Sequence, residues 1–298
     1  MSLQSRLVSA LIRPNKFLYR VFRPSAKLVR FFVHPQAWLG SKLFGPFGIG
    51  IRRERFGGVP GVTFTPKKIP RKNIVIVYFH GGGFCFGSSL TTHRVGLTTL
   101  SKITNTICHS IDYRLAPENP YPAALDDALA SWRYIAETNP DSKLILAGDS
   151  AGGGLSLALM MYLRDNGERL PDSAVLFSPW TDLNCESETY QSKAKADPMF
   201  VPQMTRDCSE YYVPESVDKK DPYVSPAYGD FSGLPRTLIM TGENEILLDD
   251  TRVIGQKAMN QGVDIEVQIW PTMFHDWWLF GNFIPETKQC LTKIAEWI

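Results

Sequence analysis

Metal-binding cysteine pairs, long apolar runs and, at the beginning of the chain, acidic residues are all missing from these 298 residues. The five cysteines are scattered and none belongs to a CxxC pair, so neither a metal site nor a cofactor is expected. A reducing, cytoplasmic location is the simplest interpretation. No apolar stretch reaches about 18 residues, which excludes an ordinary transmembrane helix. The first residues also lack the continuous apolar core of a secretory signal.

The first 53 residues contain no Asp or Glu, although they carry ten Lys or Arg. The other 245 residues hold 22 basic and 30 acidic residues, a balance of −8. A basic beginning of this kind is typical of a nucleic-acid arm, a membrane-surface segment or a targeting signal. Because the remainder is net acidic, nucleic acid is not expected as a partner. Peripheral attachment to a membrane stays open.

Short apolar runs alternate with helical patterns beyond residue 70. Such alternation predicts an α/β fold with a mostly parallel sheet flanked by helices. Residues 1–50 have the pattern of two or three short amphipathic helices, and residues 180–230 are polar, Pro-rich and aromatic. We expect these two segments to form a helical cap over a catalytic domain of residues 51–179 and 231–298. The expected strands are 73–79, 106–111, 143–147, 174–177, 237–240 and 265–269.

The strongest motif is Gly148-Asp149-Ser150-Ala151-Gly152, which matches G-x-S-x-G between an expected strand and an expected helix. A serine on such a tight turn is exposed at the carboxyl end of the sheet. The dipole and free N–H groups of the following helix favour negative charge there. Ser150 is therefore the candidate nucleophile. The alternative is a glycine-rich turn without chemistry.

A second glycine cluster, His80-Gly81-Gly82-Gly83, follows the expected strand that ends at Phe79. Consecutive glycines let backbone N–H groups approach a substrate oxygen closely. Gly82, Gly83 and Ala151 are the candidate oxyanion-hole donors. His80 is expected to hold this loop rather than to carry a proton. The residues that follow do not fit either phosphate-binding glycine fingerprint.

Taken together, these motifs resemble the hormone-sensitive-lipase-like esterases of the α/β-hydrolase superfamily over roughly residues 70–298. The resemblance implies a capped carboxylesterase, mostly active on short acyl chains. It rests on several motifs in the family's order: His80-Gly-Gly-Gly-Phe84, Asp112-Tyr-Arg-Leu-Ala-Pro-Glu118, Tyr121-Pro-Ala-Ala124, Asp126, Gly148-Asp-Ser-Ala-Gly-Gly153, Ser178-Pro-Trp-Thr-Asp-Leu183 and Asp221-Pro-Tyr-Val-Ser-Pro226.

The base and the acid are expected after the nucleophile, in the order serine, acid, histidine. His275 is the one histidine beyond Ser150 and is the candidate base. Most relatives carry Asp where Gly242-Glu-Asn-Glu245 places Glu245, which is therefore the candidate acid. Asp249 is the alternative, with Asp250 and Glu243 behind it. Asp276 is not expected to serve, because neighbouring side chains are not easily aimed at one another.

These residues predict a serine carboxylesterase that hydrolyses small esters of short acyl or aromatic acids through an acyl-enzyme. Aromatic residues near the motifs suggest an apolar pocket, with Phe84, Trp180, Phe200 and Phe274 as candidate substrate contacts. Three alternatives stay open: a membrane-associated lipid or steryl-ester hydrolase, a membrane-linked deacetylase, and a non-catalytic small-molecule receptor on the same fold. A homodimer is also compatible with the sequence.

Overall fold

The expected strands form most of a single eight-stranded sheet. The structure is a computed structural model, and it describes residues 1–44, 48–68, 70–71 and 73–298. The strand order is β1-β2-β4-β3-β5-β6-β7-β8, and β2 alone runs antiparallel to its neighbours. The predicted, mostly parallel α/β sheet is thus confirmed. The strands are β1 Ile49–Phe56, β2 Val59–Pro66, β3 Ile74–Phe79, β4 Ile107–Ile111, β5 Lys143–Asp149, β6 Ser173–Phe177, β7 Thr237–Gly242 and β8 Ile265–Trp270.

The hairpin of β1 and β2 is not among the expected strands. Because β1 begins at Ile49, the last two residues of the predicted cap segment 1–50 belong to the sheet. Residues 45–47 of that segment lie outside the described residues, as do residues 69 and 72 of the predicted catalytic domain.

Ten helices occur in the described part of the chain, and they cover both faces of the sheet. Alternate residues of β3 enter different apolar clusters: Val77 packs with α5 and α6, whereas Ile76 packs with α4 and α10. This alternation follows from the two-residue period of a strand. The helices are α1 Leu3–Ile12, α2 Pro14–Phe22, α3 Ala26–Phe44, α4 Arg94–Thr104, α5 Ala123–Thr138, α6 Ser150–Asp165, α7 Thr189–Ser192, α8 Pro202–Tyr212, α9 Leu248–Asn260 and α10 Pro285–Trp297.

The three N-terminal helices attach to the body through hydrogen bonds and through the buried Val8 and Ala26. Ser2 donates from its backbone N and its Oγ to the Glu286 carboxylate, over 2.6 and 2.8 Å, and so joins the beginning of the chain to α10. Tyr19 in α2 donates to Asp207 in α8 over 2.7 Å. Arg30 in α3 donates to the carbonyl oxygen of Cys85 over 2.6 Å. No helix in the described residues is both long and apolar enough to cross a bilayer.

The register of the central strands brings the motifs together. Phe79 at the end of β3 pairs with Gly148 near the end of β5, and also with Ile111 at the end of β4. The glycine loop after Phe79 and the turn that carries Ser150 therefore meet at the carboxyl edge of the sheet. The loops after β7 and β8, with Glu245 and His275, leave the same edge because these strands are parallel to β5.

Candidate active site

Ser150 occupies a sharp turn between β5 and α6. Its φ is +51°, a left-handed conformation that costs a non-glycine residue roughly 1–3 kcal/mol and persists only when the surroundings fix it. Two glycines fix it by close packing. A Cβ at Gly148 would overlap the carbonyl oxygen of Gly152, and a Cβ at Gly152 would overlap the carbonyl oxygen of Phe79. The turn therefore holds Ser150 at the N-terminus of α6, beside the glycine loop.

Glu245 and His275 form a buried pair. The Nδ1 atom of His275 lies 2.6 Å from Oε2 of Glu245, and both side chains are almost completely excluded from solvent. The other carboxylate oxygen of Glu245 accepts hydrogen bonds from the Ser178 hydroxyl over 2.9 Å and from the Gly242 amide over 2.8 Å. These contacts orient the carboxylate and, through it, the imidazole ring. The carboxylate predicted from the sequence is the one that contacts the predicted base.

The alternative acids are engaged elsewhere. Asp249 accepts a hydrogen bond from the Thr189 amide over 3.1 Å and forms an ion pair with Arg252 over the same distance. Asp250 and Glu243 accept hydrogen bonds from other backbone amides. None of the three replaces Glu245 beside Nδ1 of the histidine.

The second nitrogen of His275 faces Asp276 rather than Ser150. Nε2 lies 2.9 Å from Oδ2 of Asp276 but makes no hydrogen bond of acceptable geometry in the described part of the chain, so the Ser150–His275 hydrogen bond is not formed. Burial by itself lowers the pKa of His275. The carboxylates of Asp276 and Glu245 outweigh burial and hold this pKa well above its usual value. The expectation that neighbouring side chains do not meet is wrong here, because Asp276 adopts a left-handed φ of +49°.

Asp276 joins His275 to a second buried group of charges around Asp149, the residue before the nucleophile. Asp149 accepts hydrogen bonds from the Tyr78 hydroxyl over 2.5 Å and the Gly81 amide over 2.8 Å, and pairs with His93 over 3.0 Å. Burial and the neighbouring Asp149 carboxylate raise the pKa of Asp276 to about 8. Sequence reasoning missed this group, because its members are distant in the chain.

The glycine loop after β3 curls back against itself. Gly82 and Gly83 both have positive φ, and a Cβ at Gly82 would overlap the carbonyl oxygen of Phe86. The amides of Gly82 and Gly83 find no acceptor among the described residues. Ala151 lies in the first turn of α6, where N–H groups have no intrahelical acceptor. These three groups can therefore donate to an oxygen that approaches Ser150.

His80 stabilises the start of the glycine loop by stacking and hydrogen bonding. Its ring stacks on Tyr113 at 4.5 Å between centroids, and the Tyr113 hydroxyl donates to the His80 carbonyl oxygen over 2.6 Å. Burial and the nearby His93 lower the pKa of His80 to about 4. The ring is therefore neutral near pH 7, as suits a structural residue.

A small apolar pocket opens beside Ser150. It encloses about 20 Å³, which is little more than one water molecule needs. Of the predicted contacts, Trp180 and Phe200 line it, and the Phe200 ring also lies 4.7 Å from the His275 ring. The candidate oxyanion-hole residue Gly83 also lines the pocket, and residues that were not predicted as substrate contacts complete the wall: Phe86, Met204, Thr205, Cys208 and Leu247.

The other two predicted contacts, Phe84 and Phe274, are packing residues in this structure. Phe84 stacks on Tyr212 with 3.8 Å between centroids, and Phe274 packs edge-on against Phe280. Both are buried, and neither lines the pocket. A larger surface groove, about 430 Å³, lies along β8 and α10, far from these residues, and contains none of the candidate site residues.

Known proteins are similar to this chain in sequence and in fold. The sequence profile of a family described as alpha/beta hydrolase fold matches residues 76–279. An acetyl-hydrolase from Streptomyces hygroscopicus is 37% identical over 217 residues, which are 72% of each chain. An esterase from Acinetobacter venetianus is 34% identical over 249 residues, 83% of this chain and 81% of its own.

A solved structure extends the likeness to the whole fold. The crystal structure of an esterase from the bacterial hormone-sensitive lipase family superposes with a TM-score of 0.90 at 33% identity. The match covers 100% of this chain and 97% of the other.

Proposed function

Because this chain belongs to the alpha/beta-hydrolase-fold family of hormone-sensitive-lipase-like esterases and is a carboxylic ester hydrolase, we propose that Ser150, His275 and Glu245 carry its reaction. The observation that carries the proposal is the buried 2.6 Å contact between Glu245 and His275, beside the turn that presents Ser150. A carboxylate on Nδ1 fixes the imidazole tautomer that leaves Nε2 free to accept a proton.

In the first step Ser150 Oγ attacks the ester carbonyl carbon, and its proton moves to Nε2 of His275. The carbonyl oxygen becomes an oxyanion, which the amides of Gly82, Gly83 and Ala151 stabilise. Collapse of the intermediate breaks the bond to the alcohol, and the alcohol leaves with the proton from His275. In the second step water attacks the acyl-enzyme. Its proton passes through His275 to Ser150, and the acid is released.

The pocket beside Ser150 supports a preference for small esters. Its wall is aromatic, aliphatic and sulfur-containing, which suits an apolar acyl group. Because the space holds little more than one water molecule, every acyl group must displace part of the wall, and a small one displaces least. We therefore propose esters of short acyl or small aromatic acids as substrates. A homodimer and a cytoplasmic location stay predictions.

Replacement of the nucleophile tests the assignment. Ser150→Ala should abolish hydrolysis of p-nitrophenyl acetate and butyrate while leaving the circular dichroism spectrum unchanged. The wild-type serine should also react with a fluorophosphonate probe, identified at Ser150 by peptide mass spectrometry. As a control, Ser156→Ala removes another buried hydroxyl of α6 and should keep both activity and labelling. Full activity in Ser150→Ala would disprove the proposal.

A further inference from the structure

The outward side of α1, α2 and α3 is covered with apolar side chains. Among the described residues, twelve exposed large apolar side chains lie in these three helices, against six in all of residues 48–298. We call this surface the N-terminal apolar face; Leu3, Leu11, Phe17, Phe22, Phe31 and Trp38 are typical members, exposed by 49–76%. An apolar surface of this density is unusual on a monomeric soluble protein and marks an interaction site.

The inward side of the same helices carries few apolar residues, mainly Val8 and Ala26, and several polar ones. Ser5 donates to Glu286, and the buried Lys16 ammonium donates to the carbonyl oxygens of Ala194 and Asp197. Tyr19 and Arg30 likewise attach through hydrogen bonds. The helices thus dock through polar groups together with Val8 and Ala26, and turn most of their large apolar residues outward, unlike an ordinary surface helix. Their amphipathicity serves a partner outside the chain.

The charge of this region identifies the kind of partner. The first 53 residues carry ten basic residues and no acidic ones. Arg6, Arg20 and Arg23 are exposed and make no ion pair with any described residue. A second copy would set one strongly basic surface against another, and a nucleic acid would leave the apolar side chains in water. Anionic headgroups above acyl chains satisfy both the basic and the apolar groups.

The helices also contact both sides of the candidate active site. Arg30 holds the carbonyl oxygen of Cys85 in the segment that follows the glycine loop. Lys16 holds the carbonyl oxygen of Asp197, and the Asp197 carboxylate accepts the amide of Ile246, the residue after Glu245, over 3.0 Å. The N-terminal apolar face is therefore carried by helices that sit on the catalytic edge of the sheet.

We propose that the N-terminal apolar face docks this protein peripherally on an anionic lipid bilayer, with the catalytic edge turned toward the lipid. The docking does not depend on the proposed triad. The helices lie in the interface, where an amphipathic helix buries its apolar side roughly 5–10 Å deep. Trp38, with Lys42 5.6 Å above its ring, belongs to the residue types that prefer the headgroup level.

Vesicle sedimentation with the full-length protein tests the proposal. Vesicles of phosphatidylcholine with about 30 mol% phosphatidylglycerol should bind at least tenfold more tightly than phosphatidylcholine alone, and added salt should weaken the binding. Arg20→Gln with Arg23→Gln should weaken it about thirtyfold, since each basic residue near the surface contributes about fivefold. Lys67→Gln with Lys68→Gln is the matched control, because these exposed lysines follow β2 at the opposite edge of the sheet.

A second set of variants tests the contribution of the apolar side chains to vesicle binding. Phe17→Ser, Phe22→Ser and Phe31→Ser combined should weaken binding more than tenfold, whereas Val253→Ser with Met259→Ser, on the exposed side of α9, should not. Hydrolysis of p-nitrophenyl acetate reports folding in each of these surface variants. Ser150→Ala, whose folding is checked by circular dichroism, should bind vesicles like the wild type. Equal binding by the variants and their controls would overturn the proposal. So would self-association in sedimentation velocity that the phenylalanine variants abolish.

Discussion

Glu245 is completely excluded from solvent, so water does not screen its carboxylate from the groups that contact it. Its carboxylate accepts from His275, Ser178 and Gly242, so Glu245→Gln should break the orientation of the imidazole and lower kcat about 10²–10⁴-fold. Steady-state hydrolysis of p-nitrophenyl butyrate measures the loss. Asp249→Asn is the matched control and should change kcat less than about threefold, because Asp249 pairs with the exposed Arg252. The opposite ranking would show that Asp249 is the acid.

Asp276 sets the pH at which His275 becomes a base. The carboxylates of Asp276 and Glu245 hold the pKa of His275 well above its usual value, so kcat/KM should rise with pH as the ring loses its proton. Asp276→Asn removes the carboxylate beside Nε2. The rising limb of the kcat/KM profile should move to lower pH by about one unit or more. Glu243→Gln, in a neighbouring loop, should leave the profile in place. An unchanged profile in Asp276→Asn would contradict this coupling.

The same carboxyl group affects stability with a definite sign. Because the pKa of Asp276 rises from 3.8 in the unfolded chain to about 8 in the fold, the folded state binds more protons between these values. Its contribution to stability is therefore present in acid and is lost as pH rises through this window. Asp276→Asn should remove this decline, which urea titrations at pH 5 and about pH 8.5 can measure.

Some residues of the candidate site could be predicted from the sequence, and others could not. Ser150 and His275 could be assigned because a short motif and the order of the chain single them out. Phe84 and Phe274 could not, since an aromatic residue beside a motif can face either the pocket or the core. Because Asp276 is adjacent to His275 in the chain, the sequence gives no reason to expect contact between their side chains. The left-handed backbone conformation of Asp276 is what brings its carboxyl group to Nε2 of His275.

At the scale of elements, the turn between β5 and α6 tolerates no added atom. Gly152→Ala would force a Cβ into the carbonyl oxygen of Phe79, so β3 or α6 must shift. We expect a loss of about 2–4 kcal/mol in unfolding free energy and loss of most activity. Gly40→Ala in α3 is the control, because nothing lies within 4 Å of its Cβ. It should gain about 0.5–1 kcal/mol. Urea unfolding distinguishes the two, and equal effects would contradict the argument.

Elements with strong apolar periodicity are those that the sequence predicts. Strands β3 to β7 are mostly buried, and β8 is a partly exposed edge strand that alternates apolar and polar residues, so the positions of all six follow from the pattern. The β1–β2 hairpin has no such pattern, because β1 is an edge strand with four charged residues, Arg52 to Arg55, and β2 contains Pro60 and Gly61. Its pairing depends on the sheet beside it rather than on its own composition.

At the scale of the whole molecule, the substrate pocket is formed where α8 packs over the catalytic edge. Met204 in α8 fills part of it, so Met204→Ala should enlarge the space beside Ser150. The ratio of kcat/KM for p-nitrophenyl octanoate to that for the acetate should rise about tenfold. Met259→Ala, which removes an exposed methionine of α9, should leave the ratio unchanged. If Met204→Ala also leaves it unchanged, the pocket does not receive the acyl chain.

No sequence pattern could have identified which residues of α8 line the pocket beside Ser150. Met204, Thr205 and Cys208 lie on one side of α8, but which side meets Ser150 depends on contacts with distant parts of the chain. One of these is the hydrogen bond from Tyr19 to Asp207. The composition of residues 180–230 indicates an insertion outside the sheet and nothing about its orientation.

The hydrogen bonds between Ser2 and Glu286 also determine when, during synthesis, the two ends of this chain can be joined. Their partners are 284 residues apart. A ribosome that adds 5–20 residues per second makes Glu286 roughly 15–60 s after Ser2. During that time the carboxylate that accepts the hydrogen bonds of Ser2 does not yet exist. Residues 2–12 are therefore made long before their attachment to α10 can form, and a basic, apolar segment stays exposed to solvent in the meantime.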